Sequence, residues 1–381
     1  MSTIRLTTVA LLAVIAPMAA VSLQAQAPTG PAAAKALLRI DAEAENLSAI
    51  STLAVSPSGI LAVYLRQDGV IRLYSPAGKP VASAGHAGEG PGEFRQLDAI
   101  GWLGDTLWAS DGRLRRLTRY SADGKFLRAI QLPDRIEQTL PGGTSTRYTG
   151  ARLQAAYPDG SLLLQVMLFS PPKSEAPKDV MGDPRFAVRT SLEGAVRFVI
   201  ATDPPNRCMV AGSEVIISMP GSSCPMTLRA TPPNASRRVA VLQETSPNGT
   251  GSIRVVAVND RGEPLFEHKR SVPLRRVPSE AHDRQLEGVP SEMREQIEAR
   301  TRFFPPAFEV QVAPSGAAWI GLDAASGKLR EWFRLDASGK PLPSVWLPAS
   351  AKGLAFDRRG AWAITESEDG SQSIVLYEAR P

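Results

Sequence analysis

The chain has 381 residues, with 43 Lys and Arg against 38 Asp and Glu, three His and two Cys. A formal net charge of +5 is small for this length, so the composition does not indicate a nucleic-acid-binding surface. Beyond residue 27, no stretch approaches the roughly 20 apolar residues that a membrane-spanning helix needs. The sequence therefore predicts neither a nucleic-acid partner nor a membrane span.

The first 27 residues have the pattern of a secretory signal peptide. Arg5 gives a positive start, Leu6 to Leu23 is apolar and uncharged, and Ala25-Gln26-Ala27 matches an A-x-A cleavage site. The alternative is a retained N-terminal anchor helix. We expect residues 28–381 to form a single domain that lies in the periplasm or outside the cell.

A repeated hairpin pattern decides the fold class. Leu53–Tyr64 and Phe308–Ile320 each contain a short apolar run, a tight turn with glycine and a second apolar run. A second hairpin follows, with turns of the kind seen in Leu117–Lys125 and Trp332–Lys340. Two hairpins per unit give four antiparallel strands.

Turns near residues 59, 104, 160, 235, 316 and 360 count six such units, and the closest of these turns are 44 and 45 residues apart. That spacing is the blade period of four-stranded β-propellers. The sequence thus predicts an all-β, six-bladed propeller. Seven blades, with Val210–Ser218 as a partial blade, remain an alternative. A β-sandwich is a second alternative, although it does not explain the spacing.

The last unit shows three strands at most, ending at Ile374–Tyr377. Leu37–Ile40, near the other end of the chain, has the apolar character of the missing outer strand. Pairing of these two segments would close the ring and remove a free sheet edge.

The segment Gly85–Phe94 carries a G-x-G-P-G-E-F motif. It precedes Trp108–Asp111, Arg116–Tyr120 and the turn Asp123–Lys125, and this arrangement resembles the NHL-repeat family of six-bladed propellers. The resemblance is clearest over residues 85–125. It implies the fold but does not select a function, because the family includes protein binders, RNA binders and a few enzymes. We expect Gly88, Gly90 and Gly92 to let the chain turn from one blade to the next, since glycine adopts unusual backbone angles at low cost.

Loop lengths distinguish the two faces of the predicted propeller. The turns between the first and second and between the third and fourth strands are short and define a short-turn face. The other connections define a loop-rich face, where the long segments 132–151, 170–185, 203–225 and 271–306 would lie. Binding residues concentrate on loops held by a rigid scaffold, so we expect recognition on the loop-rich face, beside blades three and four. Neutral insertions are the alternative.

The last of these segments has helical character at about 278–302. Ser279 is expected to cap a helix that runs to Glu287, and a second helix is expected over Glu292–Arg302. Phe303, Phe304 and Phe308 follow, and we expect these rings to pack the insertion onto the propeller. A lid over the central channel is the other reading.

Cys208 and Cys224 lie sixteen positions apart. In an oxidising compartment we expect a disulfide between them. Two buried thiols are the alternative.

The sequence contains no H-E-x-x-H, C-x-x-C, G-x-S-x-G or P-loop motif. His86, Glu93, Arg275, Arg276 and His282 are the candidate binding residues on the loop-rich face. Two narrower sets are also candidates. Oxygen ligands of an axial calcium ion would be Glu93, Asp98, Asn206 and Glu309, and an anion-binding rim would contain Arg113–Arg116, Arg237, Arg238, Arg275 and Arg276.

The sequence therefore favours an exported, non-enzymatic binding or scaffold protein. It would recognise a protein, peptide or glycan through the loop-rich face, without a cofactor and as a monomer. The alternative is a calcium-dependent, lactonase-like hydrolase or a lyase, with its site at the mouth of the central channel.

Overall fold

Six sheets stand around a central axis, as the repeat predicts. The computed structural model describes residues 31–139, 145–168, 185–204, 209–211, 216–218, 224–323 and 327–379. All of the sheets belong to one compact unit, Ala33–Pro381. The predicted signal peptide, Asn206 and Cys208 lie outside the described residues.

Each blade is an antiparallel sheet whose first strand lies nearest the axis. The first sheet contains β2 (Ile50–Val55), β3 (Leu61–Leu65), β4 (Val70–Tyr74) and β5 (Pro80–Ala84), and the second contains β6 (Leu97–Leu103), β7 (Thr106–Asp111), β8 (Arg116–Tyr120) and β9 (Phe126–Gln131). The third contains β11 (Ser145–Ala156), β12 (Leu162–Leu168), β13 (Arg185–Thr190) and β14 (Val196–Asp203), and an additional strand, β10 (Ile136–Thr139), pairs with β11.

The fourth sheet contains β17 (Leu228–Ala230), β18 (Arg237–Thr245), β19 (Thr250–Asn259) and β20 (Pro264–Pro273). The fifth contains β21 (Ala307–Val312), β22 (Ala318–Leu322), β23 (Leu329–Leu335) and β24 (Pro341–Pro348). The sixth contains β25 (Lys352–Phe356), β26 (Gly360–Glu366), β27 (Gln372–Glu378) and, as its outer strand, β1 (Ala36–Asp41).

The sixth sheet joins the two ends of the described chain. Arg39 lies opposite Val375 and Ile40 lies opposite Ile374. The Arg39 guanidinium also donates to the Ser373 hydroxyl at 3.0 Å, across a separation of 334 residues. The predicted closing strand is therefore confirmed.

Burial follows strand position within a blade. All five residues of β3 and all five of β22 are buried, because neighbouring blades cover both faces of a second strand. The outer strand β9 is exposed over most of its length. This gradient explains why the inner hairpins read as continuous apolar runs in the sequence while the outer strands are mixed.

Two segments between blades form strands of their own. Residues 132–151 are not only a loop, since they contain β10 and the start of β11, which pair with each other. Val210–Ser218 does not form a seventh blade. Its described parts form β15 (Met209–Ala211) and β16 (Ile216–Ser218), a separate two-stranded sheet.

The insertion between blades four and five is helical, as predicted, but both helices begin earlier than expected. They are α1 (Ser279–Leu286) and α2 (Ser291–Thr301), and Pro278 and Pro290 occupy the N-cap positions. Ser279 is therefore not a cap. Proline fits the edge of a helix because its fixed φ suits the start and its missing N–H would have no helical partner.

The helices pack through an apolar cluster of Leu286, Val289, Met293 and Ile297 with Cys224. Residues 279–301 line neither of the axial cavities described below. No described helix is long and apolar enough to cross a membrane.

Candidate functional site at the mouth of the channel

The starts of the inner strands converge on the axis at the loop-rich face. Around the axis they leave a cavity of about 350 Å³, here called the axial mouth. Its lining residues are Ile50, Ser51, Leu228, Arg229, Phe308, Glu309, Val310, Gln311, Lys352, Gly353 and Ile364. They come from blades one, four, five and six.

Irregular strand pairing marks these positions. The register between first and second strands shifts between Ala307 and Glu309, and again between Lys352 and Ala355. Equivalent shifts occur in blades one, two and three. A β-bulge re-aims the side chains beside it, so a repeated bulge can turn polar residues at the strand starts toward the axis.

Glu309 is the acid of the axial mouth, and it ties blade five to blade six. Its carboxylate accepts hydrogen bonds from the backbone N–H groups of Gly353 at 2.9 Å and Leu354 at 3.2 Å, and from the Gln311 amide at 2.9 Å. Burial raises the pKa of the Glu309 carboxyl, against the opposing effect of these hydrogen bonds and of the Lys352 charge.

Two cations border the same cavity. Lys352 is exposed, and its Nζ lies 3.7 Å from Glu366 Oε2. Arg229 is more enclosed: its Nε lies 2.7 Å from Asp203 Oδ2, and burial lowers the pKa of its guanidinium. Arg238, which is almost fully buried, also contacts that Asp203 oxygen at 2.7 Å.

Asp98 and Arg152 form a further pair on the inner strands of blades two and three. The Arg152 guanidinium lies 3.5 Å from Asp98 Oδ1, and Arg152 is largely exposed whereas Asp98 is not. Both acids at the inner-strand starts, Asp98 and Glu309, therefore already have partners inside the protein. Lys352 and Arg152 keep most of their surface in solvent.

The predicted site residues fall into two separate groups. His86 and Glu93 meet in the glycine-rich crossover, with 3.0 Å between Nε2 and Oε1. The Gly90 N–H donates to the same carboxylate at 2.7 Å. Neither side chain lines the axial mouth.

Arg275, Arg276 and His282 lie instead around the helical insertion. Arg275 forms a two-point ion pair with Asp323, at 3.0 and 2.9 Å, and stacks on Phe304. Arg276 stands over Phe303, and His282 Nε2 lies 3.1 Å from the Thr301 hydroxyl. Through these contacts the three residues help to pack the insertion.

The glycine-rich segment is held by internal contacts. The Arg116 guanidinium donates to the carbonyls of Glu89, Gly90 and Glu93, and the Tyr120 hydroxyl donates to the Gly92 carbonyl. Gly88 and Gly92 both have positive φ. The structural role expected for these glycines is consistent with this geometry.

The calcium ligands considered from the sequence are not brought together. Glu93 lies in the crossover, Asp98 pairs with Arg152, and the Glu309 oxygens accept backbone N–H bonds. Among the described residues, no three His, Cys, Asp or Glu side chains are grouped as metal ligands would be. The described residues at the mouth do not fit a calcium site, which takes 6–8 oxygen ligands.

Arg229, Gln311 and Lys352 were not singled out from the sequence. Arg229 is the second residue of β17 and Lys352 is the first of β25, whereas Gln311 is the fifth of six residues of β21. Their approach to one cavity depends on how blades four, five and six lie side by side, which no single repeat shows.

The chain was also compared with known proteins. No model of a protein family matches the sequence, and no curated protein sequence matches it. Solved structures do match. One is a member of the DUF4221 family from Bacteroides vulgatus, with 11% identity and a TM-score of 0.47, covering 91% of this chain and 98% of that one.

A second is aldose sugar dehydrogenase from Streptomyces coelicolor in its PQQ-bound form, with 12% identity, a TM-score of 0.43 and coverage of 92% of this chain and 99% of that one. A third is virginiamycin B lyase from Staphylococcus aureus, with 10% identity, a TM-score of 0.42 and coverage of 89% and 98%. At such identities and scores these similarities carry no argument about function.

Proposed function

We propose that the chain is a binding protein that recognises a protein, peptide or glycan partner through the loop-rich face, with an acidic group of that partner held beside the axial mouth. The observation that carries this proposal is that the acidic side chains there are enclosed while two basic side chains are exposed to solvent. Glu309 and Asp98 are engaged inside the protein, while Lys352 and Arg152 present exposed positive charge. An anionic group can approach the exposed part of either cation, in competition with Glu366 for Lys352 and with Asp98 for Arg152.

The alternative function, a calcium-dependent hydrolase or a lyase, has less support. Its metal would need several oxygen ligands converging on the axis, and the described residues supply no such group. Glu309 also makes a poor general base in this geometry, since its oxygens accept hydrogen bonds from Gly353, Leu354 and Gln311.

The proposal includes three finer points taken from the sequence. Residues 1–27 act as an export signal, the protein works in the periplasm or outside the cell as a monomer, and Cys208 pairs with Cys224. The NHL-like motif at residues 85–125 belongs to the same proposal, as the closest description of how the blades are connected.

The proposal can be tested with two anionic probes and one neutral polymer. Immobilised protein is titrated with oligogalacturonate, which is an acidic glycan, with poly-L-glutamate, and with dextran as the uncharged control. We expect binding of at least one anionic probe and none of dextran. Because charge reversal replaces attraction by repulsion, Lys352→Glu should weaken that binding by roughly tenfold, or about 1.4 kcal/mol.

Lys340→Glu is the matched control. Lys340 is exposed in the short turn after Asp336, on the opposite face, so its reversal changes net charge equally without touching the mouth. Equal loss of binding in both variants would show that binding depends on overall charge and not on the position of Lys352. Failure of both anionic probes to bind would overturn the acidic-partner proposal.

A further inference from the structure

The channel has a second part, nearer the short-turn face, that differs from the axial mouth. This axial cavity has a volume of about 310 Å³ and is lined by all six blades. Its lining residues are Ser51, Thr52, Leu53, Ala54, Val55, Ile100, Gly101, Trp108, Gln154, Ala155, Thr231, Pro232, Pro233, Gln311, Val312, Pro314, Gly353, Leu354, Ala355 and Phe356.

None of these lining residues is charged. Most are apolar, and the polar ones are three hydroxyl side chains and two amides. Transfer of an ion into such surroundings without a partner costs several kcal/mol or more. The cavity therefore selects against charged ligands, in contrast to the axial mouth, although Ser51, Gln311 and Gly353 line both.

Trp108 is the one lining residue that comes from a second strand, and a glycine allows its ring to lie there. Gly101 of β6 lies directly opposite Trp108 of β7. A Cβ atom on Gly101 would fall 2.5 Å from Trp108 Cζ2 and 3.0 Å from its Nε1. The absence of a side chain at Gly101 thus lets the indole cross the inner strand and reach the axial cavity.

The Trp108 ring is almost entirely buried. Trp108 is 4% exposed, and its Nε1, which has no hydrogen-bond partner in the described part of the chain, has almost no accessible surface of its own. A ligand in the axial cavity can therefore contact only the apolar part of this ring.

We propose that the axial cavity binds a small neutral molecule whose apolar body lies against the Trp108 ring. A pocket of a few hundred Å³ that is lined mostly by apolar side chains, with a few polar groups, is the usual form of a small-molecule site. This inference does not rest on the function proposed for the loop-rich face, because the two sites differ in lining and in charge.

The test uses the full chain labelled with ¹⁵N. The chain has six tryptophans, so six indole N–H signals are expected, and the Trp108 signal is the one lost in Trp108→Phe. Titration with N-hexylacetamide, a neutral amide with an apolar tail, should shift the Trp108 signal in a saturable way, because the ligand would contact this ring. Hexanoate, of similar length but negatively charged, should not.

Filling the cavity provides the matched control. Ala355→Leu on β25 and Ala155→Leu on β11 add apolar volume from two different blades while leaving Trp108 in place. Each should weaken binding of N-hexylacetamide by at least tenfold, and the use of two variants guards against one that does not fold. An absent shift, an equal shift with hexanoate, or full binding in the filled variants would overturn the proposal.

Discussion

Asp203 of the third blade and Arg238 of the fourth meet at 2.7 Å, and both side chains are almost fully buried. Arg229 contacts the same carboxylate oxygen at 2.7 Å. Asp203 therefore pairs with two arginines of the neighbouring blade, and one of them, Arg229, also lines the axial mouth. The stability of this joint and the charge of the mouth are linked through Asp203.

Removal of that charge should be costly. In Asp203→Asn two enclosed guanidinium groups lose their counter-charge, and we expect the free energy of unfolding to fall by about 3–5 kcal/mol. Glu267→Gln is the matched control, because Glu267 makes only exposed contacts with Arg254 and Lys269 and should lose less than about 1 kcal/mol. Urea denaturation measures both. Similar losses would contradict a special role for the Asp203 joint.

Glu309 makes stability depend on pH in an unusual direction for an acid. Because burial raises its pKa in the folded protein, the folded state holds its proton to a higher pH than the unfolded chain does. The contribution of this group to stability is then largest at low pH and is lost as pH rises from its ordinary value of 4.5 through the raised folded pKa.

Denaturation of the parent protein and of Glu309→Gln at several pH values from 4.5 upward measures this contribution. We expect the stability of the parent relative to the variant to fall as pH rises over that window. The variant cannot titrate at this position, so a difference that stays constant with pH, or that grows, would contradict the assignment.

The closing strand supplies a comparison within six residues. Ile40 is 3% exposed and packs in the core between the first and sixth blades, whereas Leu37 is 41% exposed. Ile40→Ala should lower the free energy of unfolding by about 2–5 kcal/mol, the usual cost of removing a buried large aliphatic side chain. Leu37→Ala should cost under about 1 kcal/mol. Equal effects in thermal or chemical denaturation would indicate that the ends are not held as described.

Two turn glycines, Gly124 of a second hairpin and Gly160 of a first hairpin, separate backbone strain from blade contact. Gly124 and Gly160 have nearly the same φ, +81° and +83°. A Cβ atom on Gly124 would lie 2.4 Å from the carbonyl oxygen of Ser83 on the preceding blade, whereas nothing lies within 4 Å of one on Gly160.

Both alanine variants therefore carry a similar strain of about 1–2 kcal/mol, and Gly124→Ala alone also pushes two blades apart. We expect Gly124→Ala to be less stable than Gly160→Ala by about 1 kcal/mol. Melting temperatures of the two variants test the difference, and a Gly160→Ala protein as unstable as Gly124→Ala would count against the contact.

The cysteine pairing remains a prediction, because Cys208 lies outside the described residues. Cys224 is buried beside the helices, in the cluster with Met293 and Ile297. Intact mass under non-reducing conditions should show the loss of two hydrogens, and reduction should destabilise the protein by about 3 kcal/mol for a loop of this size. A mass that matches two thiols would refute the pairing.

The sequence predicted the propeller because each blade contains two hairpins with similar sequence patterns. The turns at Gly59, Gly104, Gly160 and Gly316 join first to second strands, as expected from their flanking apolar runs. It failed where segments depart from that repeat: the pattern of residues 132–151 gave no sign of β10, and a cap was assigned to Ser279 although Pro278 precedes it.

The candidate sites could be predicted only in part. Glu309 was considered because it begins an inner strand, but its bonds to Gly353 and Leu354 depend on blades five and six being adjacent. The contact of Trp108 with the axial cavity was not foreseen, because tryptophan in a buried strand usually signals packing. Whether its ring reaches the cavity depends on the residue opposite it, which is Gly101.

In blades one, two, four and five, a glycine turn between the third and fourth strands lies against the preceding blade. At the sixth blade no such turn exists, because β27 and β1 come from opposite ends of the described chain. Ala34 instead donates its N–H to the Trp346 carbonyl of blade five at 2.9 Å. The last sheet cannot be completed before β27 has been synthesised, and it needs a strand made some 330 residues earlier to remain available until then.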